Sequence, residues 1–87
     1  MATTTPIQTA ADLGKAVRKQ RKADGLTLAD VAGLTNVGIR FLSELENGKP
    51  TVRLDKLLRV TRALGLQLHL TSQANSDPEA QWRDVGA

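Results

Sequence analysis

The stretch from Asp30 to Asn47, DVAGLTNVGIRFLSELEN, carries two helical apolar stripes separated by only a few residues. Val31 and Ala32 belong to the first, which stops near Gly33; Val37, Phe41, Leu42 and Leu45 belong to the second. Apolar residues at three- and four-residue spacing mark the buried face of a helix. So short a break forces the second helix to fold back across the first. It also leaves Ile39 and Arg40 on a face that the core does not need.

The rest of the chain frames that pair. Thr9 ahead of AADL, with Asp12 three residues on, is a capping-box start, and Leu13, Ala16, Val17 and Gln20 follow at helical spacing. This predicts a first helix over about 10–24, stopped by Gly25. Thr27 and Asp30 repeat the start signal for a short second helix. The turn is LTN, where Asn36 tolerates positive φ at low cost. The third helix is expected from Gly38 to Glu46, ending at Asn47-Gly48, with Pro50 fixing the loop. Leu54, Leu57, Leu58, Thr61 and Leu64 mark a fourth, closed by Gly65.

After Gly65 the period changes to two. LQLHLT alternates Leu66, Leu68 and Leu70 with Gln67, His69 and Thr71, the pattern of a half-buried strand. A lone strand has unpaired amide and carbonyl groups. The same strand of a second copy, antiparallel across a two-fold axis, would satisfy them. Leu66, Leu68 and Leu70 are therefore the expected dimerisation residues of a homodimer, the alternative being a frayed extension of the fourth helix. A chain of 87 residues makes one domain with a small core, for which association is a reasonable support. The expected organisation is a flexible lead-in over 1–8, a domain over 9–71 and a flexible acidic tail over 72–87. Trp82, in that tail, docks back on its own domain or anchors a partner.

Charge narrows the partner. The net charge is +3, with Lys15, Arg18, Lys19, Arg21 and Lys22 early and Arg53, Lys56, Arg59 and Arg62 late. From residue 76 the sign reverses, with Asp77, Glu79 and Asp84 against Arg83. A basic body with an acidic tail suits a polyanion, although solvated basic helix faces would look the same by charge alone. Two short helices joined by a tight turn make a helix-turn-helix, whose second member fits the major groove of duplex DNA. Ala32 is small where the helices approach, Asn36 suits the turn, and Val31, Val37, Leu42 and Leu45 face inward.

The outward face then supplies candidates. Gly38, Ile39, Arg40, Ser43 and Glu44 point away from the core. The Arg40 fork matches guanine N7 and O6, Ile39 could touch a thymine methyl, and Ser43 could bond a base edge or a phosphate. Gly38 permits close backbone approach. Thr27 opens the second helix, whose amides can face a phosphate. Lys49 and Arg53 are candidate phosphate clamps. Glu44 would repel phosphates, so it must meet a cytosine amine or turn away.

The stretch LTLADVAGLTNVGIRFLSELENGKPTVRLDKLLRVTRALGL resembles the Cro/C1 (XRE) helix-turn-helix family, over about residues 10–65. Its marks are Leu26-Thr27, Val31-Ala32, Val37, Leu42-Ser43, Leu45-Glu46, Gly48-Lys49 and the LDKLLRVTRALGL helix. With QLHLT and a short tail holding a late Trp, the whole chain is similar to HipB-type antitoxins. That resemblance implies a mainly α, lambda-repressor-like domain of four to five helices with one C-terminal strand pairing in a homodimer. It implies binding to palindromic operators, repression of the protein's own operon, and a HipA-type serine/threonine kinase toxin as partner, with Trp82 as the partner-binding residue. Three positions depart from the pattern. Leu28 replaces a common glutamine, Asn36 the usual turn glycine, and Gly38 a frequent Ser or Lys.

Other classes fit less well. His69 has no carboxylate near it in sequence, and Gly48-Lys49 lacks the glycine pattern of a phosphate loop. Without cysteine there is neither a disulfide framework nor a thiolate metal site. An enzyme is therefore not expected, and nothing implies a cofactor. RNA binding by stacking needs exposed aromatics, and only Phe41 and Trp82 exist. No apolar run approaches the roughly 18 residues that span a bilayer, and Met1 to Pro6 lacks signal-peptide features. A cytoplasmic chain acting at the nucleoid is expected. The remaining rivals are a stand-alone phage-like regulator without a toxin and a pure protein-neutralising module.

Overall fold

The computed structural model describes residues 4–72. Four helices follow in order: α1 (Ala10–Ala23), α2 (Leu28–Thr35), α3 (Ile39–Glu46) and α4 (Leu54–Ala63). Each start has a visible cause. Thr9 accepts a hydrogen bond from the Asp12 amide at 3.0 Å, while the Asp12 carboxylate accepts from the Gln8 and Thr9 amides. At α2 the Thr27 hydroxyl accepts from the Asp30 amide at 3.0 Å, and the Thr27 amide donates to Asp30 Oδ2 at 2.8 Å. Both pairs satisfy amides that a helix start would otherwise leave bare.

Three helices close the same way. Leu26, Lys49 and Leu66 each donate a backbone hydrogen bond to the carbonyl five residues back, on Arg21, Glu44 and Thr61. This is the six-to-one closure of the Schellman motif, and the residue before each donor is a glycine with positive φ. α2 closes differently, on Asn36 at φ 57°, ψ 36°. The expected stop near Gly33 or Leu34 falls just short, because α2 runs on to Thr35. Thr35 is buried and its hydroxyl donates to the Val31 carbonyl at 2.6 Å. A glycine inside a helix costs only about 1 kcal/mol relative to alanine, and the packing of Val31 and Thr35 outweighs it.

The core is Val17, Val31, Val37, Leu42, Leu45, Leu57, Val60 and Leu64. All four expected inward residues of the α2–α3 pair lie in it. Phe41 packs against its edge, with Lys56 Nζ 5.6 Å from the ring centroid. α1 approaches α3 so closely that a Cβ at Gly14 would lie 2.8 Å from the Glu46 carbonyl oxygen. Gly48, at φ 83°, is equally tight against Ala11.

The segment after Gly65 departs from the expected alternation. Leu66 is partly buried against the core, but Leu68 is 47% and Leu70 99% exposed. Among the described residues there is no strand. A strand is defined by its ladder, and a single chain offers this segment no second strand to form one. The acidic tail beyond Ser72, with Trp82, and residues 1–3 of the lead-in lie outside the described residues.

Candidate nucleic-acid interface

α3 stands with its two ends in opposite conditions. Its amino end projects: Gly38 is the extended N-cap, Ile39 is 50% exposed and the Arg40 side chain is 91% exposed. Arg40 thus faces outward on its helix, as the sequence implied, with Glu44 one turn along. Ser43 does not share that face. It is half-buried and lines a cleft of about 200 Å3 with Arg18, Arg21, Leu28, Glu46 and Asn47. Ser43 lies three residues after Arg40, about 60° short of a full helical turn, which sets it to the side of that face, beside α1 and α2. Asn47 reaches it there, with Nδ2 3.5 Å from Ser43 Oγ.

The carboxyl end of α3 is anchored. Arg21 Nε donates to Glu46 Oε2 at 2.7 Å and Nη2 to Oε1 at 2.9 Å, while Nη1 donates to the Leu26 carbonyl at 2.8 Å. The guanidinium therefore ties α1, the α1–α2 loop and α3 together with both side chains nearly buried. The Glu46 hydrogen bonds hold Arg21 above its usual arginine range against the cost of burial. Such a two-point pair fixes geometry as well as energy.

Lys49 and Arg53 are both exposed, but each is paired with a carboxylate. Lys49 Nζ lies 2.9 Å from Glu44 Oε2, and Arg40 Nε lies 3.7 Å from Glu44 Oε1. The Lys49 hydrogen bond is the main reason that the Glu44 carboxyl sits below its ordinary range, with Arg40 adding to it. Glu44 is thus neutralised from both sides, which answers how it can stand beside a polyanion site. Arg53 is held by Asp55 at 2.7 Å, a pairing that likewise lowers the Asp55 carboxyl. Thr27 is spent on the cap, leaving the α2 amino end to offer the Leu28 and Ala29 amides beside the cleft. Sequence reasoning missed Arg18 and Asn47 as cleft residues. The only signal was spacing, since Arg18 precedes Arg21 by three and Asn47 follows Ser43 by four.

The profile of the helix-turn-helix domain family matches residues 12–74. The chain belongs to the helix-turn-helix family. An uncharacterized HTH-type transcriptional regulator of Sinorhizobium fredii, y4mF, is 42% identical over 64 residues, covering 74% of this chain and 84% of the relative. The HTH-type transcriptional regulator DdrOP3 of Deinococcus deserti is 32% identical over 61% of this chain and 41% of its own length. This family is one of transcriptional regulators rather than enzymes. Among solved structures, HipB in the HipB-O4 20mer complex superposes with a TM-score of 0.74 at 20% identity, over 82% of this chain and all of HipB as resolved. HipB in a HipA-HipB-O2-O3 complex gives 0.75. The clp gene regulator ClgR of Corynebacterium glutamicum gives 0.62 at 35% identity, over 72% of this chain and 67% of ClgR. The fold of this helix-turn-helix protein is thus mainly helical and like that of HipB. Among the described residues, no helix is long and apolar enough to cross a membrane.

Proposed function

We propose that this helix-turn-helix protein is a sequence-specific repressor that binds duplex DNA through the amino end of α3. One observation carries the reading: Gly38, Ile39 and Arg40 project from a helix whose other end is fixed to α1. Arg40 reads guanine, Ile39 meets a thymine methyl, Ser43, Lys49 and Arg53 serve the phosphates and groove edge, and Thr27 contributes through the α2 start that it caps. Arg18 and Asn47 join them at the cleft. Selection from a randomised 20-base-pair pool tests this. A reproducible site whose binding Arg40→Ala weakens about 10- to 100-fold supports it, and an undiscriminating protein overturns it.

The operator reading requires a dimer. Leu54 and Leu58 are exposed on α4 at 62% and 39%, and Leu68 and Leu70 are exposed just beyond it. A cleft of about 390 Å3 between α4 and residues 66–69 continues this apolar surface. Pairing Leu66, Leu68 and Leu70 with a second copy would cover these side chains and give the segment its ladder. Two inverted half-sites would then lie about one DNA turn, ~34 Å, apart. Sedimentation equilibrium reads this directly, and a monomer at micromolar concentration would overturn the dimer.

The likeness to HipB supports the antitoxin role, with a HipA-type serine/threonine kinase toxin as partner, Trp82 as its anchor and the operon as the regulated target. A second reading is a stand-alone regulator without a toxin, for which the relative at 42% identity, y4mF, supports the regulator part. Purification of the tagged chain from its host separates them. A co-eluting kinase supports the antitoxin, and its binding should weaken when residues 76–87 are deleted.

A further inference from the structure

We propose that Glu44 sets the discrimination between cognate and random duplex. Its carboxylate withholds Lys49 and Arg40 from phosphate and releases them only where a cytosine N4 amine stands opposite. This rests on the DNA-binding reading above and adds to it a residue that works against binding.

The backbone builds the pairing in. α3 closes with Gly48 at φ 83°, so the Lys49 amide returns to the Glu44 carbonyl at 3.0 Å. That closure brings the residue after the glycine over the last turn of the helix, where an apolar contact is usual. Here the two residues are an acid and a base, and their side chains meet at 2.9 Å. Arg40, one turn earlier on the same face, completes the cluster at 3.7 Å. Two cations suited to DNA thus share one carboxylate.

Random duplex offers Glu44 only phosphates and whatever base edge lies in register. Each cation freed onto a phosphate would add to sequence-independent affinity and to its salt dependence. Holding them on Glu44 suppresses that contribution. Cytosine N4 is the base-edge donor that a carboxylate accepts in the major groove. Four residues of helix rise about 6 Å, close to two base-pair steps of about 3.4 Å, so Arg40 on guanine and Glu44 on cytosine suit nearby pairs. Once cytosine satisfies Glu44, Lys49 is free for the adjoining phosphate. A mismatch offers the carboxylate no base-edge donor, so Lys49 stays on Glu44 and an acid stands against the groove, the repulsive element that specificity commonly uses.

The test uses the full chain, a 20-base-pair duplex selected by the wild-type protein, and a shuffled duplex of the same composition. Glu44→Gln is expected to bind the shuffled duplex roughly 5- to 10-fold more tightly, with a salt slope steeper by about one. Adding Lys49→Met to Glu44→Gln should cancel that gain, and the substitution should cost several-fold more shuffled-duplex affinity there than Lys49→Met costs in the wild-type background. Selection repeated with Glu44→Gln should lose one cytosine preference while keeping the guanine that Arg40 reads. A merely structural ion pair would move the melting temperature but not the salt slope or the selected sequence. The proposal is overturned if Glu44→Gln leaves shuffled-duplex affinity and slope unchanged, or if Lys49→Met alone costs as much as in the double variant. Failure of the underlying DNA reading would show in the wild-type protein by itself, as equal binding of both duplexes.

Discussion

The two ends of α3 are built from the same eight-residue helix and do opposite things. At the carboxyl end, Leu45 and Glu46 carbonyls press on Gly14, Glu46 grips Arg21, and Gly48 lies against Ala11. At the amino end, Ile39 and Arg40 touch little and face outward. A helix held at one end presents the other in a fixed pose. Recognition needs that, because a base edge is read only when the reading side chain arrives at a set height and angle. The contrast teaches that the tight packing and the buried ion pair of α3 lie at its carboxyl end, while Ile39 and Arg40 at the amino end carry little of the packing.

Substitutions at the two ends should therefore separate stability from binding. The largest effect is expected from Gly14→Ala. Its methyl would enter the space of the Leu45 and Glu46 carbonyls, which are backbone and cannot swing aside. Urea denaturation should show a loss of about 3 kcal/mol or more, and a wild-type midpoint would mean that α1 and α3 are not in such close register. Glu46→Gln comes next. It weakens the two-point grip on a nearly buried guanidinium and should cost roughly 3 kcal/mol by the same measurement. Replacing both partners, with Arg21→Met and Glu46→Leu, should recover part of that loss.

Arg40→Ala should do the reverse. Its stability should stay within about 0.5 kcal/mol of wild type. Its affinity for the selected duplex should fall about 10- to 100-fold, the range of one good guanine contact. Equal damage to both properties would erase the division between the two ends.

The smallest expected effect lies at the caps. Thr27→Ala should cost about 1 kcal/mol. The Asp30 carboxyl is held below its ordinary 3.8 by the Thr27 amide and hydroxyl, and that of Asp12 by the Gln8 amide and then Thr9. A carboxyl lowered on folding stabilises the fold above its unfolded value and loses that contribution as pH falls through the folded one. Helix content should thus be flat from neutrality to about pH 4 and decline below 3.8. A decline beginning near pH 6 would contradict the cap assignment.

How much of this was legible in the sequence follows from the distance over which each feature acts. The caps at Thr9 and Thr27, the left-handed Asn36 and the inward set Val31, Val37, Leu42 and Leu45 are local, and periodicity carries them. The Arg21–Glu46 pair joins residues 25 apart, and no short-range pattern announces it. That Ser43 shares a cleft with Arg18 and Arg21 was not legible, because it depends on how α3 leans on α1. The alternation after Gly65 is real as a pattern, yet a ladder needs a second strand. The Glu44–Lys49 contact was hidden in plain view, since the Asn47-Gly48 stop implies the closure that brings those two together.

The central claim is that the amino end of α3 reads base pairs. Its most direct test is the affinity of wild-type and Arg40→Ala proteins for the selected duplex and for every single-pair variant of it. The account expects the wild-type protein to lose about tenfold or more at one guanine, and the variant to be indifferent at that position while keeping its other preferences. Identical preference profiles for the two proteins would contradict it.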